Sequence, residues 1–159
     1  MNAVLEIAVV LLTTLAVIGI TPATAATYLV DDGASAPQES TALLKWRQPA
    51  PSRSKDNSLL GAMAVVVRLN LAPWINHNGR VFLALPEQGT TAVKVSWTTQ
   101  GRLLPGAITP GNRTLVFAGP ITTPILEETL TLQIEADGGG LAGTQRLKFH
   151  FEIDVDCYQ

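Results

Sequence analysis

The chain carries a single cysteine in 159 residues. Cys157 therefore has no intramolecular partner, and no disulfide braces the fold from within. With two methionines besides, no Met or Cys cluster for copper can be assembled. No His, Lys or Arg adjoins Cys157, which leaves nothing local to activate its thiolate. It reads as a tolerated surface thiol in a tail, or as one half of an intermolecular disulfide. Charge is scarce as well: 15% of residues, eleven basic against thirteen acidic, net −2. Such a balance makes no basic field for nucleic acid or anionic lipid. A G-x-S-x-G nucleophile elbow is missing. Nothing downstream of residue 26 keeps a helical period.

What is present begins with an apolar run. Residues 7–20 read IAVVLLTTLAVIGI, followed by Thr21-Pro22 and then Ala23-Thr24-Ala25-Ala26. An apolar core ahead of small residues spaced A-x-A is the pattern of a secretory signal. The run is short of the ~20 residues a membrane span needs. The expected basic n-region is replaced by Glu6, and the first basic residue is Lys45. Residues 1–26 are thus expected to be a signal peptide, with membrane contact only through a segment that escapes cleavage. Cleavage near Ala25 or Ala26 removes Glu6 and leaves twelve acids, eleven bases and a net charge of −1. The mature chain is expected outside the cytoplasm: in the periplasm, secreted, or on the cell surface. Cys157 is far from the leader, so it is not placed as a lipoprotein anchor.

Residues 27–57 are rich in Pro, Ser, Ala and Asp and read as an extended arm. Within them, residues 41–47 (TALLKWR) could make a short strand. From residue 58 to 159, period-two alternation and turn signals succeed one another. Residues 64–71, 81–85, 93–98, 114–118, 130–136 and 147–155 read as strands, separated by Gly and Pro at roughly ten-residue spacing. Asn78-Gly79 is the strongest short hairpin signal. The last run is the clearest: Leu147, Phe149, Phe151, Ile153 and Val155 alternate with Lys148, His150, Glu152 and Asp154. Successive side chains of a strand point to opposite faces, so one face is apolar and one is ionic and solvated. The pattern predicts an all-β fold: a single Ig-like antiparallel β-sandwich of about seven strands, following the signal segment and the arm. The antibody Cys–Trp–Cys arrangement is absent. The expected core is Val65, Val67, Leu69, Val93, Val95, Trp97, Leu130, Leu132, Ile134, Leu147, Phe149, Phe151, Ile153 and Val155.

Candidate chemistry is sparse. Residues 138–143 (GGGLAG) fit G-x-G-x-x-G after a strand, but a dinucleotide site needs a helix next, and a strand is expected instead. The glycines suit a loose hairpin connection. Glu127 and Glu128 are adjacent and would point to opposite faces. A catalytic carboxylate pair from Glu152 and Asp154, or a metal site from His77, His150 and carboxylates, needs the fold to bring distant groups together. Asn112-Arg113-Thr114 fits a glycosylation sequon. Trp74, next to Pro73 near a turn, is the one plausible exposed aromatic and a candidate contact for a sugar or a partner. No cofactor or metal is expected.

The ending, residues 147–155 followed by Tyr158-Gln159, resembles that of chaperone–usher fimbrial subunits, which finish in an alternating strand with a penultimate aromatic. The chain departs from that pattern in having Arg146 where a glycine usually stands fourteen residues from the end, and in lacking the usual cysteine pair. The resemblance implies an exported immunoglobulin-like subunit that assembles by strand addition. The expectation is therefore a non-enzymatic structural or interaction subunit of the bacterial envelope or a surface appendage. Its partner is another protein or a second copy, with Trp74, Cys157 and Tyr158 as candidate contacts. A monomeric periplasmic binding module is the alternative, and a hydrolase the remote one.

Overall fold

The computed structural model describes residues 26–38, 41–47, 57–87, 92–139 and 146–155. Among them the fold is nearly all β, with two antiparallel sheets, consistent with an all-β sandwich. The strands are β1 (Ala26–Val30), β2 (Ala36–Pro37), β3 (Lys45–Trp46), β4 (Ser58–Asn70), β5 (Asn78–Leu85), β6 (Val93–Thr98), β7 (Gly106–Ile108), β8 (Asn112–Pro120), β9 (Ile125–Asp137) and β10 (His150–Val155). The first sheet runs β1-β10-β5-β8; the second runs β2-β4-β9-β6-β7, with β3 also on β4.

Alternation explains most of this. Val67, Leu69, Val95, Trp97, Leu130, Leu132, Ile134, Phe151, Ile153 and Val155 turn inward and are buried, as is Val93. The Trp97 indole satisfies its one donor by giving Nε1–H to the Leu104 carbonyl at 2.9 Å, as a buried tryptophan must. Gly106, its cross-strand neighbour, leaves room for the ring: a Cβ there would stand 2.8 Å from Cζ2. Val65, Leu147 and Phe149 also pack on the core, but they are only half-buried. Burying Phe151, Ile153 and Val155 is worth on the order of 6 kcal/mol gross, an upper figure before ordering entropy. That scale fits β10's place inside its sheet, between β1 and β5.

Several expectations are corrected. Asn78-Gly79 does not turn a hairpin. Both residues lie in β5, opposite Pro120 and Gly119, while β4 pairs with β9 along its full length. The chain changes sheets between β4 and β5 through a 3-10 turn at Ala72–Trp74 and Asn76, held at φ 67°. The glycine at 79 serves packing instead, since a Cβ would meet Ile121 and Ile153 within 3 Å. The final strand is shorter than its alternation: residues 147–149 precede β10 and carry no strand pairing. Nor does the arm stand apart. β1 pairs with β10 from Ala26↔Val155 to Val30↔Phe151. The chain then crosses to the other sheet through an Asp31↔Asn70 bridge, and β2 and β3 both lie on β4. Brevity and the Pro- and Ser-rich surroundings hid these strands, and most of their side chains are exposed; Val30 is the one buried residue of β1.

Candidate functional site

The outer face of the first sheet carries an ionic network. His150, Glu152 and Asp154 point outward from β10, and Arg113 reaches them from β8. Between those strands lies β5, and Arg113 crosses it over the ring of Phe82, 4.3 Å from the ring centroid. This stacking places both terminal nitrogens of the planar guanidinium on one carboxylate: Nη1 donates to Asp154 Oδ1 and Nη2 to Oδ2, each at 3.2 Å. Nη1 also meets Glu152 Oε2 at 3.3 Å, and Glu152 Oε1 lies 3.1 Å from His150 Nε2. From the other side, Thr27 of β1 donates its hydroxyl to Asp154 Oδ1 at 2.6 Å.

Asp154 is consequently buried, at 7% exposure. This corrects the expectation of a fully solvated ionic face: side chains of β1 and β8 close over that carboxylate. Burial works against its charge, but the hydrogen bonds from Thr27 and Arg113 and the positive charges of Arg113 and Arg80 outweigh it and hold its pKa below the usual value. The guanidinium of Arg113 is correspondingly held protonated by its hydrogen bond to Asp154. An acid so fully occupied is suited to fastening β1 and β8 to β10.

Other candidates separate. His150 stands opposite Ala84, seven positions along the chain from His77. At ~3.3 Å per residue they lie about 23 Å apart. His77 Nδ1 instead sits 3.1 Å from the Ile75 carbonyl, two residues back. No group of three His, Cys, Asp or Glu able to hold a metal occurs among the described residues. Glu127 and Glu128 do diverge. Glu127 meets Arg68 at 3.5 Å. Glu128 accepts the backbone N–H groups of Gly101, Arg102 and Leu103 at 2.8, 2.7 and 2.9 Å, fixing the loop between β6 and β7. Nothing in the local sequence marked that role; it depends on a contact 25 to 27 residues away. In the glycine run, Gly139 donates to the side chain of Asp137 at 3.0 Å, an Asx turn closing β9. Residues 140–143 of that motif, and Cys157 and Tyr158, lie outside the described residues. Trp74 is half-buried, packed against the core and tilted 44° to the Tyr28 ring at 6.0 Å, so it is less open than its sequence context suggests.

Two surfaces remain that could engage something else. The first is the outer edge of β1. Among the described residues β1 pairs on one side, with β10. Its sequence is ATYLV, with Tyr28 46% and Leu29 70% exposed. Natural sheets protect their edges with charge, proline, bulges or brevity, and each other edge here has one. β2 and β3 are two residues each and β7 is three. β8 carries Arg113, Gly119 at φ 144° and a terminal Pro120. It also gives its Val116 carbonyl to the Leu104 N–H at 2.7 Å. Among the described residues β1 has no such device. The second surface is a cleft of about 1150 Å³, lined by inner-face residues of both sheets and by the segments around 32–44 and 146–149.

No family model, curated protein or solved structure matches the chain.

Proposed function

We propose that the chain is an exported, non-enzymatic β-sandwich subunit of the bacterial envelope or a surface appendage, immunoglobulin-like in layout, which self-associates by strand addition. The observation that supports this reading is the unprotected edge of β1, a five-residue uncharged strand with Leu29 and Tyr28 exposed. An antiparallel pairing of β1 with β1 of a second copy continues both four-stranded sheets across a two-fold axis. Backbone hydrogen bonds supply the affinity, and alternate side chains the register. The apolar leader and the fimbrial-like ending fit the same reading.

The test is sedimentation of the exported chain over a range of concentrations. The wild type should associate reversibly. Leu29→Lys sets like charges near one another across the two-fold axis and should weaken association at least about ten-fold, with an unchanged circular dichroism spectrum. A wild type that stays monomeric to hundreds of micromolar, or a Leu29→Lys variant that associates equally well, would refute the proposal.

A further inference from the structure

The place where the leader is expected to be cut coincides with the start of β1. The small residues spaced A-x-A run from Ala23 to Ala25, and β1 begins at Ala26. Cleavage after Ala25 or Ala26 thus falls at the first rung of the sheet or just inside it. Ala26 is already paired with Val155. Thr27, next along, donates its hydroxyl to the buried Asp154 at 2.6 Å. Val30 is 2% exposed, and the Tyr28 ring lies 6.0 Å from that of Trp74. The product side of the junction is therefore tied down by backbone pairing, one charged hydrogen bond and one buried side chain.

Whether a backbone bond can be cut depends on the burial and hydrogen bonding of the residues around it. A peptidase needs residues on both sides of the bond drawn into its own site. Residues held in a ladder reach it only by local opening, and when opening is fast the cutting rate follows the open fraction. What holds β1 comes late in the chain. Its pairing partner is β10, the last strand, and Asp154 lies 127 residues after Thr27. At ~5–20 residues per second of synthesis, β1 waits on the order of 10 s for that partner. The junction is open throughout this interval and closes when β10 arrives.

We propose that docking of β1 on β10 gates removal of the leader, an inference that rests on the export reading above. The junction is cut while β1 is free, and a chain that folds first keeps its apolar leader as a membrane anchor. The test treats the full-length precursor, folded in detergent micelles, with bacterial signal peptidase. A peptide of residues 15–35 presents the same junction without a sheet. The peptide should be cut, and the folded precursor at least about ten-fold more slowly. Val30→Ala removes the buried anchor of β1 at a distance from the junction. It should speed cutting of the precursor by about ten-fold, while the melting transition persists and the matching variant peptide is cut as before. Equal rates for peptide and folded precursor would overturn the gate alone, as would an unchanged rate for the Val30→Ala precursor. A peptide left uncut would overturn the leader reading, and the gate with it.

Discussion

Replacing Asp154 by Asn tests whether the carboxylate fastens the edge strands or merely decorates the sheet. Asparagine preserves the shape and can still accept the Thr27 hydroxyl, which stands 2.6 Å from Oδ1. The charge is lost, and an amide NH₂ in the place of one oxygen sets donor against donor toward Arg113, whose two bonds are 3.2 Å each. Hydrogen bonds to charged groups contribute about 1.5–3 kcal/mol when buried. The Arg113 side chain is 42% exposed, so water compensates part of its loss and the full penalty for a stranded buried charge does not apply. The expected cost is about 2 kcal/mol, which for a domain of this size is a melting-point drop on the order of 5 °C. Its pH dependence is the sharper measurement. Because the folded-state pKa of Asp154 is depressed, its contribution is complete above the unfolded value, about 4, and is lost as the pH falls through the lower folded value. Urea unfolding of wild type and Asp154→Asn should therefore differ at pH 7 and converge toward pH 3. A gap that persists unchanged at pH 3, or no gap at pH 7, would refute the reasoning.

Glu128→Gln weakens the acceptor for three backbone amides and should cost about 1–2 kcal/mol. Hydrogen exchange should show Gly101, Arg102 and Leu103 losing protection before the core strands do. Gly61→Ala places a Cβ 2.5 Å from Leu44 Cδ2 and 3.0 Å from the Leu43 carbonyl oxygen. The strap around β3 must then lift, at a cost of about 1–3 kcal/mol, and limited proteolysis should cut residues 41–47 faster than in the wild type.

Period two in the sequence was enough to place the strands of the two central sheet regions. Residues such as Val95, Trp97, Leu130 and Ile153 combine alternation with near-complete burial, and no other element competes for that pattern. Two kinds of feature were hidden. Edge elements such as β1 and β3 are short, lie in a Pro- and Ser-rich stretch and expose most of their side chains, so they show no alternation long enough to separate them from linker. Long-range polar contacts were hidden too: Asp154 with Thr27 spans 127 residues, and an aspartate on an outward-facing strand position looks the same whether it is solvated or covered. Asn78-Gly79 misled because local turn preference is weak against the packing of Ile121 and Ile153 around Gly79. Of the surfaces that could bind, the cleft left one trace, the inward apolar residues 147 and 149 ahead of the last strand. Alternation could not show that the space in front of them was open.

The pairing of β1 with β10 also governs how the domain answers to force. The two strands run antiparallel, with Ala26 beside Val155, so the chain enters and leaves the sheet at one corner. A pull applied between those two residues acts along the hydrogen bonds, which lie perpendicular to the strands. The rungs then open in succession, from Ala26↔Val155 toward Val30↔Phe151. A neighbouring strand laid along the free side of β1 and tugged lengthwise would strain its rungs together. Tension passed from strand to strand meets the stiff direction of this sheet, whereas tension passed end to end meets the compliant one.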